Sequence, residues 1–247
     1  MPPMRVLFIA LFTPFALPAA AQPIDHAKEY DACLALAETR PASAFDSALS
    51  WAGLGGGDAA QHCAGVALIR MGKPDHGAQR LETLATASTS AGARLRAALL
   101  GQAAQGWMLA GELERAEGAL NAAIRLDALD SALFADRSQI RGLRKDYDGA
   151  LRDADTAIRM GGRGAEAHLF RAAALRGLNR CAEALEASGQ ADALAPGLPD
   201  VALERGYCLR DLGRRAEAQA AFLAAAQATD ETVAEPARFA LQALEGG

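Results

Sequence analysis

The sequence predicts an all-α fold, a right-handed solenoid of stacked helix-turn-helix units with capping helices at both ends. Alanine, the strongest helix former, accounts for 61 of the 247 residues, whereas aromatic residues make up only 5%. Val, Ile, Tyr and Phe are scarce, so the chain has little material for β-strands. The third observation is a 34-residue repeat in the second half of the chain.

The charge balance argues against a nucleic-acid or anionic-lipid partner. The chain has 25 basic and 30 acidic residues, a formal net charge of -5. Binding to phosphate-rich surfaces normally requires an excess of Lys and Arg. The composition therefore predicts no nucleic acid as a partner.

The first 21 residues have the pattern of an export signal. Arg5 supplies a short positive region, residues 6–17 are apolar, and residues 19–21 are all Ala, as a signal peptidase requires. The apolar stretch is too short for a comfortable membrane span. We therefore expect a chain that begins at Gln22, is periplasmic or secreted, and has no stable membrane span after cleavage.

The segment before the repeats predicts helices of less regular spacing. Residues 22–62 are expected to form N-terminal capping helices, over 30–38 and 42–54. Residues 63–96 are expected to form one irregular helical hairpin. Its Ala78 lies further from Ala116 than one repeat length, so this hairpin is out of phase with the copies that follow.

The 34-residue period runs through residues 97–230. Two rows of alanines recur at this spacing: Ala116, Ala150, Ala184 and Ala218, then Ala123, Ala157, Ala191 and Ala225. The rows are seven residues apart, which is two helical turns, so they share one helix face and let a neighbouring helix approach closely. Four helix-turn-helix copies are predicted, over 97–130, 131–164, 165–198 and 199–230.

Several residues of these copies match the consensus of a known repeat. They are Trp107, Gly111, Phe134, Tyr147, Pro196, Gly206 and Phe222. The sequence resembles the tetratricopeptide repeat (TPR) family over residues 97–230, although Leu120, Ala154 and Ser188 stand where that family usually has an aromatic residue. The resemblance implies a concave face, lined by the first helix of each copy, that receives a peptide or helix of a partner protein.

The last residues, 231–247, are expected to form a C-terminal capping helix over 232–244. Its pattern predicts that Phe239, Leu241 and Leu244 pack inward, with Arg238 and Gln242 turned outward.

The four cysteines are candidates for pairing if the chain is exported. Cys33 with Cys63 and Cys181 with Cys208 are the favoured pairs, because each pair falls on neighbouring predicted helices. The alternative is four free thiols.

Residue by residue, the resemblance places groove positions on the first helices. These positions hold Gln105, Met108, Leu109, Gln139, Leu143, Leu169, Arg176, Leu203, Tyr207 and Arg210. The Lys/Asn carboxylate clamp of co-chaperone members of the family is missing.

Arg176 and Arg210 lie one repeat apart and suggest two roles. They could grip an acidic or C-terminal peptide by charge-assisted hydrogen bonds. Alternatively, Asp200, Glu204 or Asp211 neutralises both guanidinium groups.

No motif for a nucleophile, a metal or a cofactor is present in the sequence. We therefore predict a non-catalytic scaffold or adaptor of the cell envelope, without cofactor or metal. The alternative is an envelope-modifying hydrolase or metal-dependent enzyme with its site around His26, His62 and His76. A passive structural part of a larger envelope assembly is the third hypothesis.

Overall fold

The computed structural model describes residues 24–162 and 164–245, and thirteen α-helices lie within these ranges. The helices are α1 (His26–Thr39), α2 (Pro41–Trp51), α3 (Gly57–Arg70), α4 (Pro74–Ala87), α5 (Ala93–Leu109), α6 (Leu113–Leu126), α7 (Ser131–Leu143), α8 (Tyr147–Arg159), α9 (Ala165–Gly177), α10 (Cys181–Leu194), α11 (Pro199–Asp211), α12 (Arg215–Ala225) and α13 (Glu231–Glu245). A kinked segment over Ala52–Gly56, in which Leu54 and Gly55 leave the helical backbone conformation, joins α2 to α3. The signal peptide predicted over 1–21 lies outside the described residues.

The helices pack in chain order as hairpins that stack side by side. Each helix from α1 to α13 contacts the next one along the chain, and α7 contacts α9, which in turn contacts α11. The first helices of successive hairpins thus form one layer, and the second helices lie behind it. The predicted all-α solenoid is confirmed.

Alanines line the contact between the helices of each repeat. All eight alanines of the two periodic rows are at most 1% exposed, from Ala116 to Ala225. A methyl side chain lets two helix backbones approach closely, and a larger side chain would force them apart. The 34-residue period therefore marks structurally equivalent positions.

The turns between the two helices of each repeat share one backbone geometry. Gly111, Lys145, Asn179 and Gly213, each one repeat from the next, all have a positive φ, between 60° and 78°. In each turn the next residue donates its backbone N–H to a carbonyl five residues earlier, as Glu112 does to Trp107 at 2.9 Å. This hydrogen bond satisfies a carbonyl that the helix end would otherwise leave unpaired.

The irregular hairpin predicted over 63–96 is formed by α3 and α4. Helix α3 begins at Gly57, and Gly72 has the positive φ of the turn that precedes α4. Residues 88–92, rich in Ser, Thr and Gly, then connect α4 to α5.

One expectation for the C-terminal helix, the inward packing of Phe239, is wrong. Arg238 and Gln242 are exposed, as predicted, and Leu241 and Leu244 pack against the neighbouring core, but Phe239 is 72% exposed. Helix α13 ends the described stack, so only the face that meets α11 and α12 has a neighbour to cover it.

The two predicted cysteine pairs differ in the structure. Cys33 on α1 is bonded to Cys63 on α3, with 6.2 Å between their Cα atoms. Cys181 and Cys208 are not bonded in the structure, a correction to the second predicted pair; both are free, buried thiols of one core cluster. Burial, and then the neighbouring Cys181, raise the pKa of the Cys208 thiol, which disfavours the reactive thiolate.

Candidate binding groove

The first helices α5, α7, α9 and α11 present equivalent side chains on one face. The predicted residues Gln105, Gln139 and Tyr207 are spaced by whole repeats on this face. A second row at the same spacing was missed by the sequence analysis: Gln102, Asp136, Phe170 and Glu204. We call the surface formed by these two rows, together with Leu109, Leu143, Arg176 and Arg210, the groove.

The first part of the groove is apolar and open. Leu109 and Leu143, one repeat apart at the ends of α5 and α7, are 63% and 54% exposed. Beside Leu143 lies a cavity of about 200 Å³ between α7, α9 and α11. Its lining includes Gln139, Tyr147, Phe170, Ala173, Arg176 and Glu204. Exposed apolar side chains around a concavity are typical of an interaction site.

Three of the predicted groove residues, Leu169, Leu203 and Met108, pack partly against the core. Leu169 lies against a buried cluster that contains Val201. Leu203, at the equivalent position of the next repeat, lies against two such clusters. Both side chains are half-buried, and they fix the spacing of α9 and α11. Met108 is half-buried against the core around Trp107.

The two arginines of the groove are neutralised by neighbouring carboxylates. Arg176 donates hydrogen bonds from Nε and Nη2 to the two carboxylate oxygens of Glu204, at 2.6 and 3.2 Å. Arg210 bonds Asp211 at 2.8 Å. Both guanidinium groups also lie over the ring of Tyr207, 5.0 and 5.3 Å from its centre. Each guanidinium group thus has a carboxylate partner within the chain, as the second of the two roles considered for these arginines expects.

Asp136 stands in the middle of the groove without a cation beside it in the described residues. It is half-buried on α7, and the neighbouring Gln105 side chain lowers its pKa. Burial first, and then the carboxylates of Glu166 and Asp130, raise the pKa of Asp136 to about 6. An ionised carboxylate here lacks the solvation it would have in water.

At the N-terminal end of the same face, a series of side-chain hydrogen bonds joins three helices. Tyr30 Oη lies 2.7 Å from His62 Nδ1, and His62 Nε2 lies 2.6 Å from Gln102 Oε1. Burial lowers the pKa of His62, so the neutral imidazole is favoured. These hydrogen bonds link α1, α3 and α5 across the junction where the regular 34-residue spacing is interrupted.

The three N-terminal histidines have separate partners. His26 Nδ1 accepts a hydrogen bond from Trp51 Nε1 at 3.1 Å, and His76 lies 3.0 Å from Asp75. Across residues 24–162 and 164–245, no group of three His, Cys, Asp or Glu side chains is placed to hold a metal ion.

None of the helices in the described part of the chain combines the length and the apolar character that a membrane-spanning helix needs.

No protein-family model matches the chain, and no curated protein sequence does either. Among solved structures, a thermophilic TPR protein of Thermus thermophilus matches with a TM-score of 0.62 at 19% identity, over 75% of this chain and 99% of that one. The APC/C hetero-tetramer Cut9–Hcn1 matches with 0.67 at 13%, over 89% and 46%. MamA from Desulfovibrio magneticus RS-1 matches with 0.55 at 15%, over 76% and 95%. The chain therefore has the tetratricopeptide-repeat fold that its sequence predicts.

Proposed function

We propose that this chain, which has the tetratricopeptide-repeat fold, is a non-catalytic scaffold that binds a segment of a partner protein in the groove. One observation carries the proposal. Leu109 and Leu143 occupy equivalent positions one repeat apart, both are more than half exposed, and Leu143 lines a cavity walled by Phe170 and Tyr147. Large apolar side chains in this arrangement gain free energy when a partner covers them.

The cavity gives the groove a defined place for a side chain. Its volume of about 200 Å³ is of the size of one large apolar side chain, and Phe170 and Ala173 supply apolar wall. Gln105 and Gln139, one repeat apart along the same face, offer amide groups that can hydrogen-bond the backbone of an extended peptide. This combination supports peptide binding better than it supports catalysis.

We also propose that the protein acts outside the cytoplasm, in the periplasm or as a secreted protein. Two features support this location: the signal-like pattern of residues 1–21 and the bonded pair Cys33–Cys63. Disulfides persist mainly in oxidising compartments. N-terminal sequencing of the protein from its native source tests the proposal, with Gln22 as the expected first residue; a retained Met1 would contradict it.

The binding role is tested with the double variant Leu109→Ser, Leu143→Ser. Crosslinking in the native cells, followed by purification of the tagged protein, should capture a specific partner with the unaltered chain and lose it with the double variant. Leu223→Ser is the matched control, because Leu223 is 50% exposed but lies on the second-helix side of the stack, on α12. Melting temperatures should stay within a few degrees of the unaltered protein for all variants.

Two outcomes would contradict the proposal. Equal capture by the double variant would mean that the groove does not hold the partner. Equal loss with Leu223→Ser would mean that the effect is not specific to the groove, as expected for a passive part of a larger assembly.

A further inference from the structure

The charges of the groove indicate what kind of segment it accepts. Its two guanidinium groups, on Arg176 and Arg210, are already engaged by Glu204 and Asp211. Asp136 and Glu166 face the same surface, and neither makes an ion pair within the part of the chain that the structure describes. Among the residues that the structure describes, the charge that remains available in the groove is therefore negative.

Among the carboxylates of the groove, Asp136 is the one whose ionisation costs the most free energy. Its carboxylate is half-buried on α7, and its charged neighbours in the structure are the acids Glu166 on α9 and Asp130 before α7. The neighbouring Gln105 side chain only partly offsets these effects on the pKa of Asp136. A cation brought here by a ligand would gain attraction from Asp136, Glu166 and Asp130 together, in surroundings less screened than open solvent.

The apolar cavity lies close to this acidic centre. Asp136 and Gln139 are about one helical turn apart on α7, and Gln139 and Leu143 line the cavity. Phe170, another wall residue, is the equivalent of Asp136 in the next repeat. A bound chain can thus reach the carboxylates and the cavity within a few residues.

Resting on the proposed binding function, we propose that the groove is specific for a basic and apolar polypeptide segment. A Lys or Arg side chain of the partner contacts Asp136 and Glu166, and a neighbouring apolar side chain enters the cavity between Leu143, Tyr147 and Phe170. An acidic segment is disfavoured, because it would meet these carboxylates and would have to displace Glu204 from Arg176.

Synthetic peptides of about nine residues are suitable probes. The groove from α5 to α11 spans three interhelical steps of about 10 Å each, and an extended chain covers about 3.3 Å per residue. Three fluorescein-labelled peptides of equal length are compared: one of Leu and Lys, one of Leu and Glu, and one of Ser and Lys. Fluorescence anisotropy gives each dissociation constant at low and high salt.

The expected result is a preference for the Leu and Lys peptide. It should bind at least about tenfold more tightly than the Leu and Glu peptide at low salt, and the difference should shrink at high salt. The Ser and Lys peptide should also bind more weakly, because it leaves the cavity empty.

Variants locate the binding on the groove. Asp136→Asn should weaken binding of the Leu and Lys peptide by about three- to tenfold, and Glu166→Gln should act in the same direction. Glu235→Gln is the matched control, since it removes one negative charge from the exposed face of α13, and it should change the affinity by less than about twofold.

The outcomes separate this inference from the proposed function. If the Leu and Glu peptide binds as tightly as the Leu and Lys peptide, and Leu143→Ser weakens both, the groove binds peptides but the basic specificity is wrong. If Asp136→Asn and Glu235→Gln have equal effects, the contact with Asp136 is wrong. If no peptide responds to Leu109→Ser with Leu143→Ser, both proposals fall.

Discussion

The guanidinium of Arg176 on α9 binds the carboxylate of Glu204 on α11 through two hydrogen bonds, at 2.6 and 3.2 Å. The same guanidinium lies over the ring of Tyr207, which packs edge-on against the buried Phe222. The ion pair therefore ties two successive repeats together at the groove surface. It also removes from the groove the cation that would otherwise attract an acidic ligand.

Glu204→Ala is the change that should reverse this effect. Without Glu204, Arg176 becomes a free cation in the groove, so affinity for the Leu and Glu peptide should rise by about threefold or more in the anisotropy measurement. The free energy of unfolding should fall by about 1 kcal/mol, because a partly buried ion pair is lost. Asp211→Ala, which breaks the exposed pair with Arg210, should cost less than about 0.5 kcal/mol. Equal peptide affinities before and after Glu204→Ala would contradict this account.

Asp136→Asn should stabilise the protein in a pH-dependent way. The pKa of Asp136 is about 6 in the folded protein against an ordinary 3.8, so the folded chain holds a proton that the unfolded chain loses. Its presence thus lowers the free energy of unfolding increasingly as the pH rises from about 4 to about 6. The variant should match the unaltered protein near pH 4 and exceed it near pH 8 by at most about 3 kcal/mol.

Chemical denaturation at several pH values measures this difference. Glu166 and Asp130, the acids that face Asp136, are present in both proteins. A flat difference across this pH range for Asp136→Asn would mean that its carboxylate is as well solvated as one on the surface.

The helical repeat could be predicted from the sequence because one residue type, alanine, recurs wherever the same buried environment recurs. Ala150 and Ala184 stand at equivalent buried places because any larger side chain would separate the helices there. The turns recur at the same 34-residue spacing, although Lys145 and Asn179 replace the glycine that this backbone favours.

The groove could be predicted only in part, because equivalent positions of successive repeats hold different residue types there. Gln102, Asp136, Phe170 and Glu204 follow the same 34-residue spacing as the alanines, but a comparison based on identity does not detect them. Applying the period to the polar positions of the first helices would have found this row. The raised pKa of Asp136 could not be predicted, because it depends first on burial and then on the carboxylates of Glu166 and Asp130, and the fold sets both.

Phe239 shows where an amphipathic pattern is insufficient. The spacing of apolar residues in α13 suggests an inward face that includes Phe239, Leu241 and Leu244. Three residues in this arrangement span more of the helix circumference than one neighbouring layer can cover. The sequence does not state how much of that circumference meets α11 and α12, so the structure was needed to separate Phe239 from the other two.

The bonded pair Cys33–Cys63 should make a large contribution to stability. It closes a sequence separation of 30 residues, which corresponds to about 3 to 4 kcal/mol in the chain-entropy description of disulfides. Dithiothreitol should lower the free energy of unfolding by about this amount, and a Cys33→Ser, Cys63→Ser variant should show the lower value with or without reductant. Alkylation after unfolding without reductant should label Cys181 and Cys208 but neither of the other two. Labelling of all four cysteines would contradict the pairing.

Lys145→Gly should stabilise the protein without changing any contact in the groove. Lys145 has a φ of 64° in the turn between α7 and α8, where the equivalent turns have glycine at Gly111 and Gly213. A side chain with a β-carbon costs about 1 to 2 kcal/mol in this conformation, and glycine loses about 0.5 to 1 kcal/mol through the freedom of its unfolded chain. The net expected gain is therefore about 0.5 to 1 kcal/mol, seen in urea unfolding as a higher midpoint with an unchanged slope. Lys145→Ala separates the two contributions, since it removes the long side chain but keeps the β-carbon, and its stability should stay near that of the unaltered protein. If alanine stabilises as much as glycine, the cost lies in the lysine side chain, and the backbone of the turn is not strained.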